Sequence, residues 1–464
     1  MTTNSLESVI KAAGNPVQML RNSRIGAFVY PIVPAEFSNW RAEQRAWREG
    51  VVLFDQSHHM DNLFIRGPDA IRLASHLSVN SYANFPVNRA KQFVPCSFSG
   101  HVIGDGILFH LAENELVFVG RAPTANWIAY NAQTGGYDVE VDHDPRSPSR
   151  PMGRSISRRC YRFQIQGPDA ERLIETLNGG PAPDIRFFHM GEIGIGDRKV
   201  RALRHGMAGT PGLEIWGPYE EYFEIRDRII EAGQAGGLVL VGARAYATNT
   251  LESGWIPSQL PAIYTDAEMK PYREWLPADS YEAVGSLGGS FVSDDIQDYY
   301  LTPFALGYGA FISYDHDFVG RAALETVNRA DQRRKVTLVW NSADVLKILA
   351  SHLESGEPFK YFDLPLATYA SANFDSVMVD GKLVGLSLFV GYSANERRVL
   401  SLGTVDPGVE IGDEVTVIWG EPDGTQKTTV GPHRQIEVRA IVSPVPISDA
   451  IRRTYARGWR TRQA

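Results

Sequence analysis

The spacing of apolar residues changes period at two places one hundred residues apart. In "NLFIRGPDAIRLASHL" a strand-like run stops at Gly67, and Ala70, Leu73, Ala74 and Leu77 then fall on one helical face. In "YRFQIQGPDAERLIETL" the run stops at Gly167, and Ala170, Leu173, Ile174 and Leu177 repeat the stripe. Ile65, Arg72, Leu73 and Leu77 recur at the same offset as Ile165, Arg172, Leu173 and Leu177. Each copy predicts strand, turn, helix. Proline suits the first helical position, where its missing N–H costs nothing, and the following aspartate suits the positive end of the helix.

The likeness continues downstream. "GDGILFHLAENELVFVGRA" reads as a strand pair and "PTANWIAYNAQTGG" as a helix. The second copy continues with "GTPGLEIWGPYEEYFEIRDRIIEAGQAGG", again strand and then helix, and again ending in Gly-Gly. A duplicated α+β half follows, with a cleft expected where the two halves face each other. Two copies at so long a period argue against a solenoid. After residue 333 the pattern becomes short strands with Gly/Asp turns, as in "RKVTLVW", "SVMVDGKLVGLSLFVGYS" and "DEVTVIWGE". The expected fold class is α+β: residues 1–333 hold halves at about 50–150 and 151–245, and residues 334–464 form a small β-barrel domain.

Length and charge narrow the class of partner. The 464 residues carry 46 Lys and Arg against 54 Asp and Glu, a net charge of −8, without the basic surplus of a nucleic-acid binder. The basic C-terminal stretch "IRRTYARGWRTRQ" reads as a solvated helix or tail. No apolar run of about 18 residues and no leader pattern occur, so a cytoplasmic protein without membrane contact is expected. Its two cysteines, Cys96 and Cys160, have no ligand spacing around them, and no metal site is expected. The clusters "VDHDP" (141–145) and "YDHDF" (314–318) read as turns. P-loop, dinucleotide-binding and nucleophile-elbow motifs are absent. His58 and His59 follow the apolar strand "VVLFD"; adjacent side chains project differently, so one is expected to be structural.

Four stretches resemble the aminomethyltransferase (glycine-cleavage T-protein) family. "GVVLFDQSHHMDNLFIRGPDA" is similar to its glycine, apolar run, Phe-Asp-x-Ser-His-Met opening. "GHVIGDGILFHLAENELVFVGRA" resembles its GG-x-I-x-D strand pair, and "GTPGLEIWGP" its folate-contacting Gly-x-Glu segment. "FALGYGAFISYDHDFVGRAAL" resembles its GLG…DF-x-G-x-x-AL signature. In this order they cover nearly the whole chain. "RNSRIGAFVYP", "RAYATNTLESGWIPSQLPAIYT" and "YREWLPADSYEA" resemble more specifically the tetrahydrofolate-dependent aryl O-demethylases of lignin-derived methoxybenzoates.

That resemblance implies duplicated folate-binding domains, a C-terminal β-domain, and tetrahydrofolate as methyl acceptor. It implies a small aromatic carboxylate as donor, with syringate favoured over vanillate and 3-O-methylgallate. Two departures from the glycine-cleavage members fit a neutral aryl ether better than an amine. Gly104 stands where they carry one carboxylate of an acidic pair, and their Gly-Ala-Arg-Asp run is here Gly242-Ala243-Arg244-Ala245-Tyr246.

The resemblance also assigns roles. Tyr246 and Tyr30 become donors to the departing phenolate oxygen, with His59 orienting one of them. Arg121, at a strand end before a Pro-started helix, becomes the carboxylate fork. Phe28 and Phe188 become pocket walls, Phe188 on the folate side. Glu214 would accept from the pterin N–H groups, with Gln164 and Trp255 completing that pocket. From the residues alone, Tyr30 reads rather as a core aromatic and Arg121 rather as a surface cation, and core packing stays open for Trp255. Two rivals stand beside this reading. One is an aminomethyltransferase or methylated-amine demethylase of the same fold; the other is a folate-binding regulatory or assembly protein without catalysis.

Overall fold

The repeated glycines sit where two backbones cross. In the computed structural model, which describes residues 4–149, 157–422, 424 and 427–457, both have positive φ, +140° at Gly67 and +128° at Gly167. A Cβ on Gly67 would meet the Asp138 carbonyl oxygen at 2.3 Å, and one on Gly167 the Gly50 carbonyl oxygen at 2.2 Å. The motif recurs because each half needs the same close approach at the same corner, which only glycine permits.

The first half is a five-stranded sheet whose strands lie in the order Arg89–Phe93, Gly106–Ala112, Glu115–Gly120, Asp61–Arg66, Glu140–Asp144. Its strands are β2 (Asp61–Arg66), β3 (Arg89–Phe93), β4 (Gly106–Ala112), β5 (Glu115–Gly120) and β6 (Glu140–Asp144). They follow β1 (Val52–Asp55) in the chain. The second half contributes β7 (Cys160–Gln166), β8 (Met190–Ile195), β9 (Arg198–Leu203), β10 (Gly212–Pro218) and β11 (Val239–Val241). Their six-stranded sheet has the order β8-β9-β10-β7-β1-β11. The first four strands of the two orders correspond one for one; beside them β6 closes the first sheet, whereas the second has β1 in that place and β11 beyond it. Thus β1, which lies within the span 50–150, pairs antiparallel with β7 and parallel with β11.

Helices Ala70–Leu77 and Ala170–Asn178 cover equivalent faces of the two sheets, as their stripes predict. Leu73 and Leu77 share a core with Leu63 and Ile65; Leu173 and Ile174 share one with Phe163 and Ile165. Pro68 and Pro168 are not helical, contrary to the sequence reading. Each helix starts at the alanine, with the aspartate as the half-in residue before it. The Gly-Pro-Asp segment instead closes a turn, Ala70 N to Gly67 O at 3.2 Å and Ala170 N to Gly167 O at 3.1 Å. The other sheet faces meet in Phe109, Val117, Val119, Met190, Leu203 and Trp216.

"VDHDP" is also a correction: Val141 to Asp144 lie in strand β6, not in a turn. Alternation sends the carboxylates of Asp142 and Asp144 to one side, where Arg159 and Arg158 neutralise them. "YDHDF" does form an irregular bend, with Asp315 held against His316. The barrel is closed and six-stranded; its first strand is Arg334–Trp340 and its last Ile436–Ser443. Of the basic C-terminal stretch, a helix spans Asp449–Arg457 and buries Ile451; residues 458–464 lie outside the described residues. Among the described residues, no helix is long and apolar enough to cross a membrane.

Candidate active site

The tyrosine expected to do chemistry is placed by a buried carboxylate. Helix Trp40–Glu49 stacks Trp40 and Trp47 against Phe54, Ala245 and Tyr246. Its Glu43, fully buried, accepts from the backbone N–H groups of Phe37, Ser38 and Gly242 at 2.8–2.9 Å. Ala243 N and Arg244 N donate to the carbonyls of Pro34 and Ala35. The segment carrying Tyr30 and the turn carrying Tyr246 are thereby tied together. Their rings meet edge-on at 4.9 Å between centroids. His59 lies 4.9 Å from Tyr30 and 5.0 Å from Tyr246.

The Tyr246 hydroxyl accepts from Gln56 Nε2 at 3.0 Å and lies 3.1 Å from His59 Nε2. Burial drives the His59 imidazole down to about 3, with Arg158, His58 and Arg146 acting the same way, so the ring is neutral near pH 7. Burial also raises Tyr246 well above the ordinary phenol value, with Tyr30 reinforcing it and Gln56 opposing. Tyr30 is raised by burial against the pull of Arg121. Both tyrosines are proton-loaded. His58 bonds Ser147 and Tyr219 instead, away from this cluster, as expected of one structural histidine of the pair.

Tyr30, His59 and Tyr246 line a cavity together with Phe28, Arg121 and Trp255. Arg121 stands between β5 and helix Ala122–Thr134, with Pro123 in the first turn. Its guanidinium donates to the Pro257 carbonyl and to the Tyr281 hydroxyl (2.5 Å), which hold it in place and leave further N–H groups free. Arg121 and Arg146 both stand against the Phe28 ring, at 5.6 and 4.2 Å. This end of the cavity is cationic and the tyrosine end is neutral.

A second, larger cavity shares Met60, Arg121, Met207 and Trp255 with the first. Glu214 and Phe188 line it, as do Lys91, Tyr308 and Lys335. Glu214 is not the lone buried acid that the sequence suggests. Arg162, diagonal to it on β7, forms a buried ion pair with it and also lines the cavity. Gln164, directly opposite Glu214, is fully buried and lines neither cavity. Its amide donates to the His205 carbonyl and accepts from Gln56, so it supports the wall from behind. Trp255 donates to Asp105 Oδ2 at 2.6 Å, and Tyr308 donates to the same oxygen. Burial raises the Asp105 carboxyl and lowers the Lys335 amine to about 8. Next to Asp105, a Cβ on Gly104 would lie 2.3 Å from Thr124 Oγ1, so no side chain fits there without displacing Thr124.

Sequence reasoning missed Gln56, Arg162, Lys335, Asn249, Thr250 and Ser258. Arg162 had a signal, since it stands two residues from Gln164 and therefore shares its strand face. Lys335 had none: it comes from the first barrel strand. Among the described residues, no three His, Cys, Asp or Glu side chains cluster in a way that could hold a metal ion.

Residues 21–261 match the GCVT N-terminal domain family. A syringate O-demethylase of Sphingobium sp. (strain NBRC 103272 / SYK-6) is 46% identical over 99% of both chains. A sesamin methylene transferase of Sinomonas sp. (strain No.22) is 29% identical over 90% of this chain and 91% of its own. An aminomethyltransferase of Caldanaerobacter subterraneus subsp. tengcongensis is 26% identical over 72% and 77%. The crystal structure of the glycine cleavage system aminomethyltransferase T from Bartonella henselae superposes with a TM-score of 0.61 over 92% of this chain and 95% of that one, at 17% identity, a likeness of fold. The chain belongs to the aminomethyltransferase (GCVT) family and is an enzyme of its tetrahydrofolate-dependent methyltransferase class.

Proposed function

We propose that the enzyme removes the methyl group of a methoxybenzoate, with syringate as the favoured donor, and passes it to tetrahydrofolate. The carrying observation is the junction of two cavities: one has a cationic end and a tyrosine end, and the other has a buried acid and two lysine amines. The similarity to the syringate O-demethylase supports the same donor class.

The larger cavity fits a folate in chemistry. Glu214 is an acceptor for pterin N–H groups, Phe188 and Trp255 offer apolar faces, and Lys91 and Lys335 suit a carboxylate tail. Tetrahydrofolate bound there supplies N5 as the methyl acceptor. Overall, the methyl C–O bond breaks, an N–CH₃ bond forms, and the ring oxygen gains the proton that N5 loses.

The chain's own residues hold the donor and ease the departure of its oxygen. Arg121 fixes the carboxylate, which orients the ring and turns the encounter into a positioned reaction. The leaving oxygen becomes a phenolate whose conjugate acid has a pKa near 10. Tyr246 lies above that value, so full proton transfer from it is uphill and it acts as a hydrogen-bond donor to growing charge. Gln56 donates to the Tyr246 oxygen, and neutral His59 does so as well in the Nε2–H tautomer that this role requires. With two donors on its oxygen, Tyr246 has its own O–H free for the substrate. Tyr30 adds a second donor from across the ring contact.

The test is incubation with tetrahydrofolate and, separately, syringate, vanillate and 3-O-methylgallate, reading 5-methyltetrahydrofolate by mass. Formation with syringate at the highest kcat/KM is expected. Methyl transfer from none of the three, or transfer from methylated amines instead, overturns the proposal.

A further inference from the structure

Three residues on the wall of the smaller cavity each carry a polar atom without a hydrogen-bond partner among the described residues: Asn249 Oδ1, Thr250 Oγ1 and Ser258 Oγ. The residues are 1%, 4% and 8% exposed. A buried amide oxygen or hydroxyl left unpaired is destabilising, so it calls for a ligand group. Other polar residues on the same wall are satisfied internally. Ser371 donates to the Ser286 carbonyl at 2.9 Å, and Asn373 donates to the Ala370 carbonyl at 2.9 Å. The open valences are therefore confined to particular positions.

Their placement separates them into two groups. Ser258 follows Pro257, whose carbonyl anchors Arg121, so it belongs to the cationic end. Asn249 donates its Nδ2 to the Tyr246 carbonyl at 2.7 Å, so it belongs to the tyrosine end. That bond also fixes the amide, and Oδ1 is left without a partner in a residue that lines the cavity. Thr250 is the next residue of the same short helix, Asn249–Ser253. Glu252 of this helix anchors it to the barrel region by accepting from Ser393 and Asn395.

We propose that Asn249 and Thr250 form a subsite for a free ring hydroxyl lying across the ring from the carboxylate. The proposal rests on the donor class given above and adds a specificity to it. Asn249 Oδ1 only accepts, so an ether oxygen or a bare C–H does not satisfy it, whereas a phenolic O–H does. The Thr250 hydroxyl donates to the oxygen of the same phenol. A ring with the carboxylate at Arg121 and Ser258, and the hydroxyl at Asn249 and Thr250, presents its methoxy group beside that hydroxyl, next to Tyr246.

The experiment compares 4-hydroxy-3-methoxybenzoate with 3-methoxybenzoate, which differ only in that hydroxyl. Binding to the full chain without folate is measured by calorimetry for wild type, Asn249→Ala and Thr250→Val. The valine variant keeps shape and helix while removing the hydroxyl. Wild type is expected to hold the hydroxylated ring at least about 10-fold tighter, since a site built for a hydroxyl rejects the analogue lacking it. The ratio should fall at least about 3-fold in Thr250→Val and further in Asn249→Ala, with 3-methoxybenzoate affinity preserved in Thr250→Val. Equal wild-type affinities, an undiminished ratio in Thr250→Val, or equal weakening of both ligands in that variant overturns the subsite. Selective binding without turnover refutes the reaction and leaves the subsite standing. Turnover without selectivity does the reverse.

Discussion

Replacing Tyr246 by Phe tests the chemistry with the least disturbance to shape. The ring stays, and with it the edge contacts to Tyr30 and Phe54 at 4.9 and 5.2 Å. Only the oxygen goes. Gln56 Nε2 keeps a second contact, to Gln164 Oε1 at 3.4 Å, but the bond between Tyr246 and His59 Nε2 is lost. One buried polar atom left short of a partner costs about 1–3 kcal/mol. The variant should therefore fold and show a modestly lower denaturation midpoint. The effect on the reaction should be larger. The leaving oxygen carries far more charge at the transition state than in the bound ether, so the lost donor acts mainly there. Loss of one such donor lowers turnover on the order of 10²–10³-fold with KM nearly unchanged. Single-turnover rates of 5-methyltetrahydrofolate formation measure this directly. A substrate ring with an electron-withdrawing substituent should partly rescue the variant, because its oxide needs less help to depart. Unchanged single-turnover rates, or the same dependence on leaving-group pKa in variant and wild type, would refute the assignment.

Arg121→Lys turns a held fork into a point charge; benzoate affinity should fall about 10–100-fold, as for a charged hydrogen bond worth about 1.5–3 kcal/mol, while tetrahydrofolate affinity holds. Equal weakening of both ligands in titrations would make Arg121 structural. His59, at about 3 in the folded state against 6.5 ordinarily, binds fewer protons folded than unfolded. Its contribution is complete above pH 6.5 and is lost as pH falls toward 3, reaching about 2 kcal/mol by pH 5. Urea melts at pH 7 and 5 should show a shallower loss in His59→Gln, and an identical loss in both proteins would contradict the neutral assignment. Lys335, lowered to about 8, should hold a carboxylate tail below that pH and release it above; tetrahydrofolate affinity should drop between pH 7 and 9 in wild type but stay flat in Lys335→Met.

The repeat was legible because both its glycines answer a backbone collision, which leaves a fixed mark in the sequence. The barrel was legible from its period-2 runs. The tyrosine cluster was reached only through resemblance: nothing in "FVYP" states that Tyr30 meets Tyr246, because the tie runs through Glu43 and backbone atoms distant in the chain. The pairing of Glu214 with Arg162 was hidden for a related reason, since strand register is set by long-range pairing. Asn249 and Thr250 carry no motif at all; only their burial without partners marks them. The expected helical start at Pro68 and Pro168 failed because the positive-φ glycine before each proline builds a turn first.

The strand that the second sheet borrows has a consequence for the chain as it leaves the ribosome. β1 is complete at Asp55, but its antiparallel neighbour is not finished until Gln166 and its parallel one not until Val241. At roughly 5–20 residues per second, β1 waits roughly 5–25 s for its first partner. During that time "VVLF" stands as an unpaired apolar edge. Nascent chains stalled before β7 should therefore depend on chaperones more than chains stalled after it, and neither half should be obtainable alone as a soluble fragment cut near residue 150.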